Sequence, residues 1–230
     1  MMYKHIFFDL DHTLWDYEQN SEESLRELYA LHGLADFDLF SEMAFLEKFT
    51  KVNYQLWHQY NEGQIEREDI RQFRFRRVLQ QLGLEDEALA TRLSADYLDL
   101  CPNKNKLLPY ALETLAYLGE RYELSIITNG FTEIQVKKLK GSKIDHYFKS
   151  VTTSDGANSR KPSKAIFDFA IEQAKSKPSE SLMVGDNLEA DVAGAMGAAI
   201  DAVYFNPKAT PHQAPVTYEV SCLSTLMNML

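Results

Sequence analysis

The sequence predicts an α/β fold in which a parallel sheet carries helices on both faces and is interrupted by an inserted helical segment. Three observations indicate this: a short apolar run, HIFF, opens the chain; helical patterns fill residues 21–100; and helices then alternate with short apolar runs from residue 109 onward. Alternation of this kind produces right-handed crossovers and a parallel sheet that is covered on both sides. The opening run is therefore expected to pair with the later strands in one sheet.

The opening run is short, aromatic and β-branched, which favours a strand. It ends in the stretch FFDLDHTL, which places Asp9 and Asp11 directly after the apolar residues. A buried carboxylate is costly unless a cation or a metal ion compensates it. Two acids at this strand end therefore indicate a site.

Residues 21–100 show apolar residues at steps of three and four, which is typical of helices, and no convincing strand. The helical segments are SEESLRELYALHG, DLFSEMAFLEKFTKVNYQLWHQYNEG, EREDIRQFRFRRVLQQLG and DEALATRLSADYLDL. The aromatic side chains of this block are expected to pack mainly in its core, with one or two left to contact a ligand: Phe49, Tyr54, Trp57, Tyr60, Phe73 and Phe75. Its arginines are expected on a solvated face: Arg71, Arg74, Arg76 and Arg77.

In the remaining chain each predicted helix precedes a short apolar strand. The helices are 109–120, 132–140, 163–175 and 188–197, and the strands that follow them are ELSIIT, YFKSVTT, SLMVGD and IDAVYF. Segment 206–216 contains three prolines and predicts an irregular surface loop.

Charge and composition exclude several classes of function. The 230 residues carry a formal net charge of -10, which repels nucleic-acid phosphates and anionic lipids. No run approaches the roughly 20 apolar residues that a membrane span needs. The two cysteines are too few for a disulfide framework, and Asp9 interrupts the apolar stretch near the start, so no secretory segment is expected. We expect a cytoplasmic protein that binds neither a nucleic acid polymer nor a membrane.

Ligands of open parallel sheets bind beyond the carboxyl ends of the strands. The polar residues predicted at that edge are Asp9, Asp11, Thr128, Asn129, Gly130, Asp186 and Asp191, and the stretch SRKPSKAIF adds Lys161. Two carboxylates about 4 Å apart repel by roughly 4 kcal/mol at an effective dielectric constant near 20, so cations must accompany them. Mg²⁺ suits a set of oxygen ligands of this kind, and no cluster of histidine or cysteine indicates zinc.

The chemistry that these groups favour is phosphoryl transfer. A carboxylate can attack phosphorus, and a neighbouring acid can protonate the leaving oxygen and then activate water. The Thr128 hydroxyl, the N–H groups around Asn129 and Gly130, and the Lys161 ammonium can bind phosphate. Taken singly, each of these residues is also compatible with a turn, a helix cap or a solvated charge, but their joint order along the predicted strand ends favours a functional site.

The stretches FFDLDHTL, IITNG, RKPSKAIF and MVGDNLEAD resemble the four successive motifs of the haloacid dehalogenase-like (HAD) hydrolase superfamily, over residues 4 to 205 or so. The resemblance implies a Rossmann-like core of residues 1–16 and 101–230, an inserted α-helical cap of residues 17–100, and Mg²⁺-dependent hydrolysis of a phosphomonoester through an aspartyl-phosphate. It implies these roles: Asp9 as nucleophile and metal ligand, Asp11 as acid/base and backbone-carbonyl metal ligand, Thr128, Asn129 and Gly130 as phosphate donors, Lys161 as stabilising cation, Asp186 as metal ligand, and Asp191 in the shell around the ligands.

A narrower resemblance concerns the substrate, expected to be a small-molecule phosphate ester. FDLDHTLWDYEQNS, the TNG form of the second motif, GDNLEAD and the helical stretch NYQLWHQYNEGQIEREDIRQFRFRRVL are similar to bacterial house-cleaning pyrimidine 5′-nucleotidases, which implies a pyrimidine nucleoside 5′-monophosphate. The alternatives are a phosphatase for phosphoglycolate or a sugar phosphate, a haloacid dehalogenase, and a non-catalytic phosphate-binding module. Asp11 argues against a dehalogenase, because release of halide requires no acid.

Overall fold

The computed structural model describes residues 3–230 and confirms the α/β fold. Within these residues six strands form one fully parallel sheet in the order β3-β2-β1-β4-β5-β6. The strands are β1 His5–Phe8, β2 Glu123–Thr128, β3 Phe148–Thr153, β4 Ser181–Gly185, β5 Asp201–Phe205 and β6 Tyr218–Val220. The opening strand lies at the centre of the sheet, between β2 and β4, and the direction of strand addition reverses there.

The α-helices follow the predicted segments closely. They are α1 Tyr17–Leu31, α2 Glu42–Asn61, α3 Arg67–Gln81, α4 Glu87–Leu100, α5 Ala111–Gly119, α6 Thr132–Gly141, α7 Lys164–Ala174, α8 Gly194–Gly197 and α9 Leu226–Met229. No helix within the described part of the chain is both long enough and apolar enough to cross a membrane.

The helix predicted over 188–197 is present, but its first half is not an α-helix. Leu188–Ala193 is a π-helix, and α8 begins only at Gly194. The Asn187 side chain accepts the N–H groups of Glu189 and Ala190, and the Asn187 carbonyl accepts the N–H of Val192 five residues on. These bonds widen the first turn. Strand β6 and helix α9 were not predicted, because three or four residues give no measurable periodicity.

Burial explains why β1 reads as a continuous apolar run. All four of its residues are buried, as are those of β4, because helices cover both faces of a parallel sheet. Two of the three residues of the edge strand β6 are exposed. The loop 206–216 contains no regular helix or strand, as predicted.

The chain divides into two compact units. One runs to Tyr17 and resumes at Asn105–Leu230, and it contains the sheet; the other is Glu18–Lys104, and it contains α2, α3, α4 and most of α1. The assignment of residues 17–100 as a cap domain in the functional sense stays a prediction.

The helical unit has an aromatic core that includes a buried cation. Phe49 and Phe75 are buried, whereas Tyr54 is 73% exposed. The expectation that the arginines are solvated is wrong for Arg74, which is buried with its guanidinium 4.7 Å from the Tyr97 ring centroid. Its Nη1 also donates to Asn53 Oδ1 at 3.1 Å, so aromatic faces and an amide replace water around this charge.

Candidate active site

The sheet brings the predicted acids to one edge. Asp9 follows β1, Thr128 ends β2 and Asp186 follows β4, and these three strands are neighbours. The Asp9 N–H donates to the Val184 carbonyl at 2.9 Å, so the ladder between β1 and β4 extends through the first acid. Its carboxylate is thereby fixed at the point where the strand order reverses, which is where ligands bind in such sheets.

Three carboxylates form a cluster at this edge: Asp9, Asp186 and Asp191. One oxygen of each lies within 4.8 Å of the others. Lys161 joins two of them, because its Nζ lies 2.6 Å from Asp9 Oδ1 and 2.6 Å from Asp191 Oδ1. The same ammonium donates to the Ile127 carbonyl at 2.9 Å, which uses the backbone of β2 to hold it in place. One cation against three acids leaves the carboxylate cluster negatively charged.

Burial and mutual repulsion perturb the pKa values of the cluster. Burial raises the pKa of Asp9, and the neighbouring Asp191 and Asp186 add to this against the opposing effect of Lys161. The pKa of Asp186 is raised for the same reasons, by burial first and then by Asp191. Burial acts to lower the pKa of Lys161, but the two carboxylates outweigh it and the net shift is upward. The ammonium stays charged while the acids compete for a further cation.

Asp191 occupies its place because Gly185 has no side chain. A Cβ on Gly185 would lie 2.3 Å from Asp191 Oδ2, which is far closer than atoms can approach. The Asn187 N–H donates to the same Oδ2 at 3.0 Å, so the start of the π-helix orients this carboxylate. Asp191 therefore pairs directly with Lys161 and belongs to the group of oxygens that a metal ion would meet; the expectation that it lies one shell further out stays untested.

Thr13 completes the environment of Asp186. Its hydroxyl donates to Asp186 Oδ1 at 3.1 Å, across 173 positions of sequence. Sequence analysis gave Thr13 no role, and its place just after the two acids is the signal that was available.

The Thr128 hydroxyl is oriented by two donors. Its Oγ1 accepts the Gly130 N–H at 3.1 Å and the Gln135 Nε2 at 2.9 Å. With its oxygen accepting two hydrogen bonds, the hydroxyl hydrogen remains to be donated, which suits a phosphate oxygen.

Two backbone N–H groups near the predicted phosphate-binding loop are bonded within the protein. The Gly130 N–H is bonded to Thr128, and the N–H at the start of α6 is bonded to Asp155, which accepts it from Thr132 at 3.0 Å. Asn129 links this loop to the lysine: Lys161 N donates to Asn129 Oδ1 at 2.7 Å, and Asn129 Nδ2 donates to the Lys161 carbonyl at 3.0 Å. Asn129 thus sets the distance between the TNG loop and Lys161, and direct phosphate binding by Asn129 or Gly130 stays a prediction.

Asp11 has partners that sequence analysis missed. Lys138 Nζ lies 2.6 Å from Asp11 Oδ1 and 2.8 Å from Oδ2, and Gln135 Nε2 donates to Oδ2 at 2.9 Å. Burial alone would raise the pKa of Asp11, but Lys138 and the hydrogen bond from Gln135 lower it overall. Both partners are buried polar residues on the inward face of α6. One sign of this was present in the sequence: a glutamine and a lysine stand three residues apart at positions of the helix where apolar residues are expected.

The donor set of the site fits Mg²⁺. All members of the carboxylate cluster offer hard oxygen ligands, and their excess negative charge over Lys161 calls for a small divalent cation. The Asp11 carboxylate, in contrast, faces Lys138 and Gln135, so only its backbone carbonyl is available for the role predicted from sequence.

Comparison with known proteins places this arrangement in a family. The profile described as haloacid dehalogenase-like hydrolase matches residues 3–198. The chain belongs to this hydrolase family. This membership confirms the resemblance found in the motifs.

Relatives match the HAD chain over its whole length. The pyrimidine 5′-nucleotidase PynA of Streptococcus pneumoniae is 31% identical over 100% of this chain and 96% of its own, and the pyrimidine 5′-nucleotidase YjjG of Escherichia coli is 29% identical over 100% and 99%. The crystal structure of the HAD-hydrolase YfnB of Bacillus subtilis, bound to magnesium, superimposes with a TM-score of 0.88 at 26% identity and covers 100% of this chain and 99% of that one.

Proposed function

We propose that this HAD hydrolase is a Mg²⁺-dependent phosphatase that acts through an aspartyl-phosphate on Asp9, and that its substrates are pyrimidine nucleoside 5′-monophosphates. The observation that carries the proposal is the buried Lys161 ammonium, 2.6 Å from both Asp9 and Asp191, at the strand edge where Thr128 also lies. A nucleophilic carboxylate, a fixed cation and a hydroxyl donor are the groups that phosphoryl transfer needs in one place.

In the first step a carboxylate oxygen of Asp9 attacks phosphorus, and the bond between phosphorus and the ester oxygen breaks. Lys161 binds Oδ1, which leaves Oδ2 as the attacking atom, since no described residue donates a hydrogen bond to it. The Thr128 hydroxyl and Lys161 stabilise the charge that develops on the phosphoryl oxygens.

Asp11 serves both proton transfers. The departing ester oxygen takes a proton from the Asp11 carboxyl in the first step. Ionised Asp11 then accepts a proton from the water that attacks the aspartyl-phosphate, which releases inorganic phosphate and regenerates Asp9. The lowered pKa of Asp11 favours the ionised carboxylate that the second step uses, whereas the first step uses the less populated protonated form.

Asp9, Asp186 and the Asp11 carbonyl would hold Mg²⁺, with Asp191 either a further ligand or the residue that orients Lys161. When bound, the ion would supply positive charge that offsets the repulsion between the carboxylates and the substrate phosphate.

The substrate class rests on the two nucleotidase relatives. PynA and YjjG each match the full chain, and their names give pyrimidine 5′-nucleotidase activity. Phosphate binding at Thr128 and Lys161 is common to all phosphate esters, so selectivity has to arise from groups that contact the base or the sugar. Stacking of an aromatic side chain on a base contributes about 1–3 kcal/mol.

The test of the substrate is a comparison of kcat/KM at one Mg²⁺ concentration for dUMP, dTMP, UMP, dAMP, phosphoglycolate and glucose 6-phosphate. We expect the highest values for the pyrimidine nucleotides. A higher value for phosphoglycolate or glucose 6-phosphate than for every pyrimidine nucleotide supports the alternative, a phosphatase of small acids or sugars. A higher value for dAMP removes the selectivity for pyrimidines.

The test of the mechanism is Asp9→Asn. This variant is expected to fold and to lose multiple turnover, because an amide does not form the aspartyl-phosphate. Asp168→Asn is the matched control, since Asp168 is an exposed residue on α7 of the same unit and pairs with Lys164 at the surface. Turnover of Asp9→Asn close to that of Asp168→Asn contradicts the assignment of the nucleophile.

A further inference from the structure

The buried side chain of Gln135 connects two groups of the proposed mechanism. Its Nε2 donates to Asp11 Oδ2 at 2.9 Å and to Thr128 Oγ1 at 2.9 Å, so one amide nitrogen uses its two hydrogens on the acid/base and on the phosphate donor. Gln135 has no exposed surface, and its Oε1 has no hydrogen-bond partner among the described residues. A buried carboxamide that leaves one polar atom unpaired is costly, so the two bonds that it does make call for a functional explanation.

The backbone opposite is shaped to admit this side chain. A Cβ on Gly130 would lie 1.9 Å from Gln135 Nε2 and 2.5 Å from its Cδ. The glycine of the TNG turn therefore makes room for the amide of Gln135. Gly130 also donates its N–H to Thr128 Oγ1, so the glycine and the glutamine act on the same hydroxyl.

Lys138 holds the other side of the same carboxylate. It lies one helical turn beyond Gln135, and its Nζ binds both oxygens of Asp11 and lies 4.5 Å from the Trp15 ring centroid. The rotation of the Asp11 side chain is thus restricted by two residues of α6, and Gln135 is the one that also reaches Thr128.

We propose that Gln135 is a positioning residue: its amide fixes the Asp11 carboxylate and the Thr128 hydroxyl relative to each other, and so aligns proton transfer with phosphate binding. The proposal rests on the function proposed above. Gln135 does not touch the reacting atoms, and its effect on the reaction passes through Asp11 and Thr128. Loss of the amide therefore impairs the steps that depend on those two residues, and most strongly the proton transfer to a poor leaving group.

The experiment compares two esters of similar size, phenyl phosphate and p-nitrophenyl phosphate, in Gln135→Met and Gln135→Glu. Methionine keeps the length of the side chain and removes both donors, and glutamate keeps its shape and replaces the donor nitrogen with an oxygen. Gln173→Met is the matched control, because Gln173 is exposed on α7. Phenolate is the poorer leaving group, so its departure depends more strongly on an aligned acid.

Both Gln135 variants are expected to lower kcat/KM for phenyl phosphate by about 10- to 100-fold, and kcat/KM for p-nitrophenyl phosphate by distinctly less, because kcat/KM reports the step in which the leaving group departs. Inorganic phosphate, used as the inhibitor, is expected to bind about 3- to 10-fold more weakly, because the Thr128 hydroxyl is no longer oriented. In an Asp11→Asn background, Gln135→Met is expected to leave the ratio of the two kcat/KM values unchanged.

A purely structural role gives a different pattern. Equal losses of kcat/KM on both esters in each variant overturn the proposal. A change in the kcat/KM ratio that persists without the Asp11 carboxylate also overturns it, as does behaviour like that of Gln173→Met. Normalisation to folded protein, measured by circular dichroism, separates loss of fold from loss of alignment. If the wild-type protein hydrolyses neither these esters nor dUMP, the proposed function has failed; if it is active and the ratio is insensitive to Gln135, only this inference has failed.

Discussion

Gly185→Ala tests whether the position of Asp191 matters to the site. The added Cβ lies 2.3 Å from Asp191 Oδ2 and 2.6 Å from its Cβ, whereas an ordinary contact begins at 3.4 Å. The Asp191 carboxylate has to retreat by about 1 Å. The backbone of Gly185 is not in the left-handed region, so alanine introduces no conformational strain and the effect arises from this contact.

The magnitude follows from the packing around Asp191. An extra methyl group in a well-packed site destabilises the folded protein by about 1–3 kcal/mol. Alanine also lowers the conformational entropy of the unfolded chain relative to glycine, which offsets about 0.4–1 kcal/mol of that cost. We expect a net loss of about 1–2 kcal/mol in the free energy of unfolding. The 2.6 Å contact between Asp191 and Lys161 lengthens in the process, and a misplacement of 1 Å in a catalytic group can lower kcat by about 100-fold.

The assays are urea unfolding followed by circular dichroism and kcat for p-nitrophenyl phosphate at saturating Mg²⁺. Gly197→Ala is the matched control: a Cβ there meets nothing within 4 Å, and its backbone accepts alanine. This control is expected to be as stable as the wild type or slightly more so, with unchanged kcat. If Gly185→Ala unfolds at the same urea concentration as Gly197→Ala and retains full kcat, the geometric argument about Asp191 is wrong.

Three further predictions concern metal, proton transfer and pH. EDTA is expected to stop hydrolysis, and added Mg²⁺ is expected to restore it. Asp186→Ala is expected to raise the Mg²⁺ concentration needed for half-maximal activity. Full activity in EDTA contradicts the metal assignment. Asp11→Asn is expected to lower kcat about 10²–10⁴-fold for an ester with a poor leaving group, and wild-type activity on that ester shows that the acid lies elsewhere. Burial lowers the pKa of His5 to about 4, so the unfolded chain binds this proton near pH 6.5 and the folded protein does not. The free energy of unfolding is therefore highest above pH 6.5 and falls by up to about 3 kcal/mol as the pH drops toward 4. His5→Gln is expected to reduce this fall, measured by urea unfolding at pH 7 and pH 4.5. Equal falls in the variant and the wild type exclude His5 as the cause.

The sequence by itself determined the fold class and the edge at which the site lies. Asp9, Thr128 and Asp186 each stand where an apolar run ends, and the carboxyl ends of parallel strands share one edge of a sheet. The helical periodicity between residues 21 and 100 likewise predicted the segment that interrupts the sheet unit, because amphipathic spacing is a local property of the chain.

Local irregularities escaped prediction because their causes are specific contacts. The π-helix at Leu188–Ala193 depends on the bonds of Asn187, and a helical pattern of apolar residues does not distinguish it from an α-helix. Arg74 is buried because Asn53 and the Tyr97 ring surround its guanidinium, and a charged residue in a sequence is by default expected in water.

Only the tertiary structure decided which side chains pair at the site. Asp11 meets Gln135 and Lys138 across 124 and 127 positions of sequence, and Lys161 meets Asp191 across 30. Sequence motifs give the kinds of group that reach the edge, but the partner of a buried charge is whichever opposite charge or dipole the packed elements bring within hydrogen-bond distance. That distance is set by how α6 and the loop before α7 pack against the sheet, and because a buried carboxylate left unpaired is costly, these contacts fix the orientation of the Asp9 and Asp11 side chains.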